Sequence, residues 1–185
     1  MNTYRRLFLI LFVLISLTSL GCPGIVPGSK PYEGLSEREA DHFNRSQRDI
    51  SPSAVRSRIA QYQSTEVAWP GLIKEVELIE KEGKLEAQLL VEYYHYDWIL
   101  DYGVQMEKIF LYPQREGLFA TTCSFRPDAS SSKQFRSYAE VGNLLILYGT
   151  PQRVDGQVVV LTCNYPRFIT KGWFRIQSEE VGVGQ

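Results

Sequence analysis

The chain has 185 residues, of which 44% are hydrophobic and 22% charged, and this balance can bury the core of about one domain. Its formal net charge is −1, and removal of residues 1–21, which hold two arginines and no acid, would leave 18 basic against 21 acidic side chains, a net charge of −3. Such a surface gives phosphate backbones no broad attraction, which argues against nucleic acid as a partner and against docking on anionic lipid by charge alone.

Residues 1–21 have the three parts of an export signal. Arg5 and Arg6 form a positive start, residues 7–17 (LFLILFVLISL) are an almost unbroken apolar run, and residues 18–21 (TSLG) lead into a cysteine. The apolar run is short for a bilayer span, so the pattern predicts a signal peptide that is removed. The alternative is a short transmembrane anchor that is retained.

The junction Gly21-Cys22 resembles the lipobox of bacterial lipoproteins, in which a small residue precedes the cysteine that is acylated. Ser19 departs from that motif, where Leu is more common. The resemblance implies an N-terminal lipid on Cys22, and buried methylenes at about 0.8 kcal/mol each make such an anchor stable without help from the protein. Pro23 stands where an aspartate would favour the inner membrane, so the resemblance implies the periplasmic face of the cell outer membrane.

Residues 22–50 are predicted to be a tether between the lipid and the domain. Pro and Gly interrupt residues 23–34, and a charged stretch follows. Ser36 and Glu39 have the spacing of a capping box, which indicates a short helix. No second metal-type side chain stands three or four residues after His42, so we expect this histidine to be solvated.

A short amphipathic helix is predicted over residues 52–62, because Ser51 can cap it and Pro52 suits its first turn. Its apolar stripe consists of Val55, Ile59 and Tyr62. The stripe favours packing on the protein's own domain, and a partner-binding helix is the alternative.

From residue 65 onward the sequence predicts a mainly β domain. Five strands are predicted, at residues 66–79, 85–94, 117–125, 144–149 and 157–165. Gly71 would permit a sharp bend in the first strand, and the alternation of the second strand is broken only by Leu90. A turn is predicted at residues 153–156.

Residues 130–141 (SSSKQFRSYAEV) predict a helix between the third and fourth strands. Five strands with a helix at this point are the plan of the OB fold, a partly open Greek-key barrel. We therefore predict an OB-type barrel domain over residues 51–177, with the short helix at its N-terminal end and a flexible tail at residues 178–185.

Several segments of this domain carry a family resemblance. They are the helix 52–62 with residues 66–73 (EVAWPGLI), residues 117–120 (GLFA), residues 144–149 (LLILYG), and Asn164-Tyr165-Pro166 with the later Trp173. Together they resemble the Slp, or starvation-inducible, family of bacterial outer-membrane lipoproteins over roughly residues 50–175. Residues 93–116 look like an insertion. The resemblance implies an OB-type barrel on the outer membrane with no established chemistry.

The sequence offers no constellation for catalysis or for a metal. Its two histidines are His42 and His95, and it contains no HExxH, GxSxG, P-loop or glycine-rich dinucleotide turn. The acidic residues are scattered on strand exteriors, where solvation explains them. We therefore expect a protein that is not an enzyme and has no cofactor.

Residues 93–98 (YYHYDW), with Tyr102 and Tyr112 nearby, form an unusual aromatic segment. The second and third strands of an OB barrel, with their loops, are the usual ligand face. Rings with polar tips could stack on sugars or bases or form a protein-binding surface. The candidate residues for this surface are Tyr94, Tyr96, Trp98 and Tyr102. The alternative is that alternate rings fill the core and the others cover a hairpin extension over residues 92–113.

Cys123 and Cys163 are predicted to form a disulfide. Export leads to an oxidising compartment, and the lipid uses Cys22, which leaves an even number of thiols. Both cysteines share a face with core residues, and the third and fifth strands of an OB barrel are neighbours. A bridge between parallel strands is expected to need an unusual offset, and two buried free thiols are the alternative.

These features predict a non-enzymatic, membrane-anchored lipoprotein of the cell envelope. Its barrel is expected to bind a protein or a cell-wall or glycan component. The alternative is a purely structural or stress-response lipoprotein with no small ligand. Export and the acidic balance disfavour a nucleic-acid-binding barrel.

Overall fold

The computed structural model describes residues 29–81, 84–101, 108–125 and 131–177. The predicted signal peptide, Cys22 and the tail 178–185 lie outside these residues. Within them the fold is mainly β, as the sequence predicts. The helices are α1 (Glu37–Arg45), α2 (Pro52–Ser57), α3 (Ile59–Tyr62) and α4 (Ser131–Tyr138). The strands are β1 (Ser29–Pro31), β2 (Val67–Lys81), β3 (Lys84–His95), β4 (Ile99–Asp101), β5 (Ile109–Phe125), β6 (Leu144–Gly149), β7 (Pro151–Asp155), β8 (Val158–Thr162), β9 (Tyr165–Ile169) and β10 (Phe174–Ile176).

The main sheet has the strand order β7-β8-β5-β3-β2-β6-β9, and β10 adds to β5 beside it. The pair β5–β8 and the pair β5–β10 are parallel, and the other pairs of this sheet are antiparallel. The described sheet therefore has eight strands instead of the five that the sequence predicts. A single residue, Thr150, separates β6 from β7. Strand β9 begins at Tyr165, the last residue of the last predicted strand, and β10 follows it.

The hairpin of β3 and β5 is longer than its predicted strands. It continues past a register shift to the pairs Tyr94–Pro113 and His95–Tyr112. This agrees with the expectation that residues 92–113 extend a hairpin, although residues 102–107 lie outside the described chain. The predicted turn at residues 153–156 is wrong, because Arg153–Asp155 belong to β7 and pair with β8. The turn follows at Gly156, whose φ of +57° suits glycine.

Both faces of strand β6 are buried, which divides the core into two clusters. Leu145 and Leu147 pack into the first cluster with Trp69 and Phe119. The second cluster lies on the other face of β6 and includes Tyr32, Tyr96, Leu144, Ile146 and Tyr148. The sequence of a strand that is covered on both faces is typically a continuous apolar run, and residues 144–149 have this pattern.

The N-terminal segment covers this second face, so the predicted tether is wrong for its described part. Tyr32 is buried in the second cluster, and Glu39, His42 and Ser46 are buried as well. The polar composition of this segment explains why the sequence does not predict its burial. Apart from Tyr32 and Phe43 the segment has few large apolar side chains to predict burial, and it is instead held by the polar contacts described below.

The caps of the N-terminal helices are as predicted. The Ser36 side chain accepts a hydrogen bond from the Glu39 amide, and that of Ser51 accepts one from the Ala54 amide. The predicted helix 52–62 is broken at Arg58 into α2 and α3. Val55 is fully buried in the first cluster, so the stripe packs on its own domain.

Candidate binding site

The aromatic residues proposed from the sequence do not form one exposed surface. Tyr96 is only 1% exposed, and its hydroxyl donates to the carbonyl of Ile99. Tyr94 and Trp98 are half-buried and pack against the second cluster. Tyr96 is therefore a core residue, which corrects its prediction as a surface residue. Tyr102 lies outside the described residues.

The two cysteines lie opposite each other on neighbouring parallel strands. Thr122 pairs with Thr162, so Cys123 in β5 and Cys163 just after β8 follow at matching positions. Their Cα atoms are 5.2 Å apart and their sulfurs are at bonding distance. The pair has the geometry of the predicted disulfide, and the expected offset is not needed because the two residues are in register.

A groove of about 480 Å³ lies across the outer face of the main sheet. Strands β3, β5 and β8 form its floor, with β2 along one side and β7 along the other. The floor is apolar and half-buried, and its side chains are Leu90, Ala120, Val158 and Val160. Register explains this floor, because Leu90 pairs with Ala120 and Ala120 pairs with Val160 across the three strands.

The margin of the groove is polar and exposed. Gln88 and Thr122 form the row of paired residues beside the apolar floor. The charged lining residues are Glu75 and Glu77 on β2, and Arg153 and Asp155 on β7. Three acidic side chains against one basic side chain make the lining negative overall. Within the described chain, none of these four forms an ion pair.

Sequence reasoning missed this groove, although one signal for it was present. Leu90 is the apolar residue that breaks the alternation of the second strand, and Val158 and Val160 make residues 158–161 (VVVL) apolar at every position. An apolar residue at an outward position of a two-faced strand indicates a surface that contacts something else.

A buried carboxylate anchors helix α1 to the sheet. Glu39 is fully buried, and its carboxylate accepts hydrogen bonds from the Leu35 amide at 2.8 Å, the Tyr148 hydroxyl at 3.2 Å and the Tyr32 hydroxyl. It also pairs with the Arg167 guanidinium at 3.1 Å. Burial raises the pKa of both tyrosines, and the neighbouring carboxylate adds to this effect. The tyrosines therefore stay neutral and remain donors to Glu39.

A second polar cluster joins the end of α1 to the start of β2. The Glu66 carboxylate contacts His42 Nδ1 at 2.8 Å, Arg45 Nε at 2.5 Å and Asn164 Nδ2 at 2.7 Å. Burial opposes ionisation of Glu66, but the hydrogen bonds from Arg45, Asn164 and His42 outweigh it and hold its pKa below the usual value. His42 is buried here, so its prediction as a solvated residue is wrong.

The geometry of both clusters indicates a structural role, because hydrogen-bond donors of the same chain surround each carboxylate. In the described residues, no group of three or more His, Cys, Asp or Glu side chains has an arrangement that could hold a metal ion. No helix among them is long and apolar enough to cross a membrane. Comparison of the sequence with known protein families and with curated proteins finds no match.

Proposed function

We propose that this protein is a membrane-anchored lipoprotein of the cell envelope, without enzymatic activity, that holds a segment of a partner protein in the groove of an OB-type barrel. The observation that carries the proposal is the groove itself. It combines an apolar floor with a charged margin on the outer face of strands that the described residues leave open. Its volume lies within the range of about 300–1,000 Å³ that is usual for binding sites.

The pairing pattern supports the OB-type barrel. Strands β2, β3 and β5 form an antiparallel meander, β8 is parallel to β5, and β7 is antiparallel to β8. Strand β6 pairs with β2, and the backbone of Thr150 between β6 and β7 accepts a hydrogen bond from Thr162 at 3.0 Å. If β6 and β7 are the two halves of one bent strand, the sheet closes on itself as five strands, with α4 between the third and the fourth.

In such a barrel the groove occupies the usual ligand face, which the second and third strands provide. These strands are β3 and β5, which contribute Leu90 and Ala120 to the floor. The position of the groove and its lining therefore support the same binding role.

The lining favours a protein segment over a glycan. Sugar recognition commonly uses aromatic rings for stacking, and the lining residues of the groove include none. Aliphatic floors with charged margins suit apolar and charged side chains of an extended chain. Because Glu75, Glu77 and Asp155 outnumber Arg153, we infer that the segment carries basic residues.

The membrane anchor is proposed from the sequence alone. The signal-like leader and Gly21-Cys22 support lipidation, and the likeness to the Slp family supports the outer membrane. Intact-mass analysis of protein from its native membranes should show an N-terminus at Cys22 that carries acyl chains. Substitution Cys22→Ser should release or mislocalise the protein, and unchanged membrane attachment would indicate a retained apolar anchor.

The groove is tested by crosslinking and pull-down of the full-length protein from intact envelopes. Substitution Ala120→Arg places a long charged side chain on the floor and should abolish capture of the partner without loss of thermal stability. Gln61→Arg, at an exposed position of α3, is the matched control and should retain capture. Equal capture by both variants would contradict a binding role for the groove.

A purely structural role is the second candidate. The burial of Tyr93 and Tyr96 favours it, because rings in the core leave less aromatic surface for recognition. Under this alternative, Ala120→Arg would leave every phenotype of the protein unchanged.

A further inference from the structure

The turn between β9 and β10 presents a tryptophan to solvent. The Trp173 amide donates to the carbonyl of Thr170 at 3.3 Å, and Gly172 has a φ of +99°, a conformation that favours glycine. This turn leaves Trp173 52% exposed, and Ile176 in β10 is 47% exposed. Two large apolar side chains exposed within four residues are a costly arrangement in water.

Two basic residues lie close to these apolar ones in the sequence. Lys171 and Arg175 are exposed, and no ion pair of either side chain is found in the described part of the chain. Tryptophan rings prefer the level of lipid headgroups, where the indole N–H stays hydrated while the ring contacts acyl chains. Lysine and arginine beside them can contact lipid phosphates.

A series of contacts connects this turn with strand β1, where the described chain begins. Strand β1 begins at Ser29 and pairs with β4. Leu100 of β4 shares the second cluster with Ile109 and Phe174, and the Ile109 amide donates to the Trp173 carbonyl at 3.3 Å. A fully extended chain from Cys22 to Ser29 would reach at most roughly 25 Å, so a lipid on Cys22 would keep this part of the domain close to the bilayer.

We propose that Trp173 and Ile176, with Lys171 and Arg175, contact the phospholipid bilayer in which Cys22 is anchored. This inference rests on the proposed lipidation. The lipid supplies the affinity, and the turn supplies a second contact that orients the barrel on the membrane surface.

Trp173 fluorescence tests the contact directly. The chain has three tryptophans, of which Trp69 is fully buried and Trp98 half-buried. The full-length acylated protein would be reconstituted in vesicles of phosphatidylethanolamine and phosphatidylglycerol, with and without brominated acyl chains. The difference between the wild type and Trp173→Phe isolates the emission of Trp173. We expect brominated vesicles to remove most of this emission, and the matched variant Trp98→Phe to show the same loss.

The outcomes separate this inference from the lipidation on which it rests. Acylated protein whose Trp173 emission is unaffected by brominated lipid would overturn the membrane contact and leave the anchor intact. Mass analysis that finds no acyl chain on Cys22 would overturn both. Loss of quenching in Trp98→Phe would also overturn the contact, because the quenched ring would then be the half-buried one.

Discussion

At the scale of single residues, side chains hold the N-terminal segment in place, and no apolar pattern in the sequence predicts their burial. Glu39 shares a capping-box spacing with Ser36, and this spacing predicts a carboxylate that turns back to the helix start. The carboxylate accepts from the Leu35 amide at the helix start, from the Tyr32 hydroxyl seven residues earlier and from the distant Tyr148 hydroxyl. The helix could be predicted from local sequence, but the contacts of Glu39 with Tyr148 and Arg167 could not, because these two residues lie more than 100 positions further along the chain.

Glu39 is therefore expected to matter greatly for stability. Substitution Glu39→Ala would leave the Arg167 guanidinium and two tyrosine hydroxyls without their buried acceptor. Breaking a buried pair by removing one partner costs about 3–5 kcal/mol. Urea unfolding of the variant should show a loss of this size in the free energy of unfolding.

The control for this prediction is Glu37→Ala, which removes an exposed acid from the same first turn of α1. It should change the free energy of unfolding by no more than about 0.5–1 kcal/mol. Equal losses in the two variants would mean that the buried cluster does not hold α1 to the sheet.

Glu66 gives the fold a dependence on acid pH. Its pKa is lower in the folded protein than the usual 4.5, so ionised Glu66 stabilises the fold above that pH. This contribution is lost as the pH falls through the lower pKa of the folded state. The free energy of unfolding, measured by urea titration from pH 6 to pH 3, should therefore fall less steeply in Glu66→Gln than in the wild type.

Glu80→Gln is the matched control for this pH series, because Glu80 forms an exposed ion pair with Arg136. Exposed pairs contribute little, so this variant should follow the wild-type pH dependence closely. A Glu66→Gln curve as steep as the wild type would show that other carboxylates cause the acid sensitivity.

At the scale of elements, the alternation of apolar residues predicts strands well and their ends poorly. The buried positions of β3 follow the sequence pattern from Leu85 to Tyr93. Strand β5 begins eight residues earlier than predicted, at Ile109 and not at Gly117, because its first half pairs with the hairpin extension of β3. Such pairing is a tertiary effect, and a single strand's pattern does not contain it.

The structure gives a different reason for the glycine at position 71 from the one that the sequence suggests. The sequence suggests a bend, while the structure shows close packing: a Cβ at Gly71 would lie 2.4 Å from the carbonyl oxygen of Glu92 and 2.7 Å from a methyl carbon of Val91. Gly71→Ala should therefore force the backbones of β2 and β3 apart. A destabilisation of about 1–3 kcal/mol is expected from overpacking of this kind, measured by thermal or urea unfolding.

Gly156→Asn provides the comparison for this substitution. A Cβ at Gly156 meets no atom within 4 Å, and asparagine tolerates the φ of +57° found there. The asparagine variant should be close to the wild type in stability. If Gly71→Ala were as stable as Gly156→Asn, the contact between β2 and β3 could not be as close as described.

At the scale of the whole molecule, the mainly β class and the helix before β6 are predictable from the sequence, and the covering of the second face is not. Residues 22–50 have the composition of a linker, yet from Tyr32 onward they complete the core. In the candidate site, too, one feature can be predicted from the sequence and another cannot. The disulfide partners follow from counting and strand order, whereas the groove depends on the register of β3, β5 and β8.

Site-specific photocrosslinking in intact cells tests the proposed role of the groove most directly. A photoreactive amino acid would replace Thr122, which is exposed at the margin of the groove, or Asp41, which is exposed on α1 outside it. We expect a discrete crosslinked protein from position 122, its loss when Ala120→Arg is added, and no such product from position 41. The absence of a product from position 122, or the same products from both positions, would contradict the proposed role.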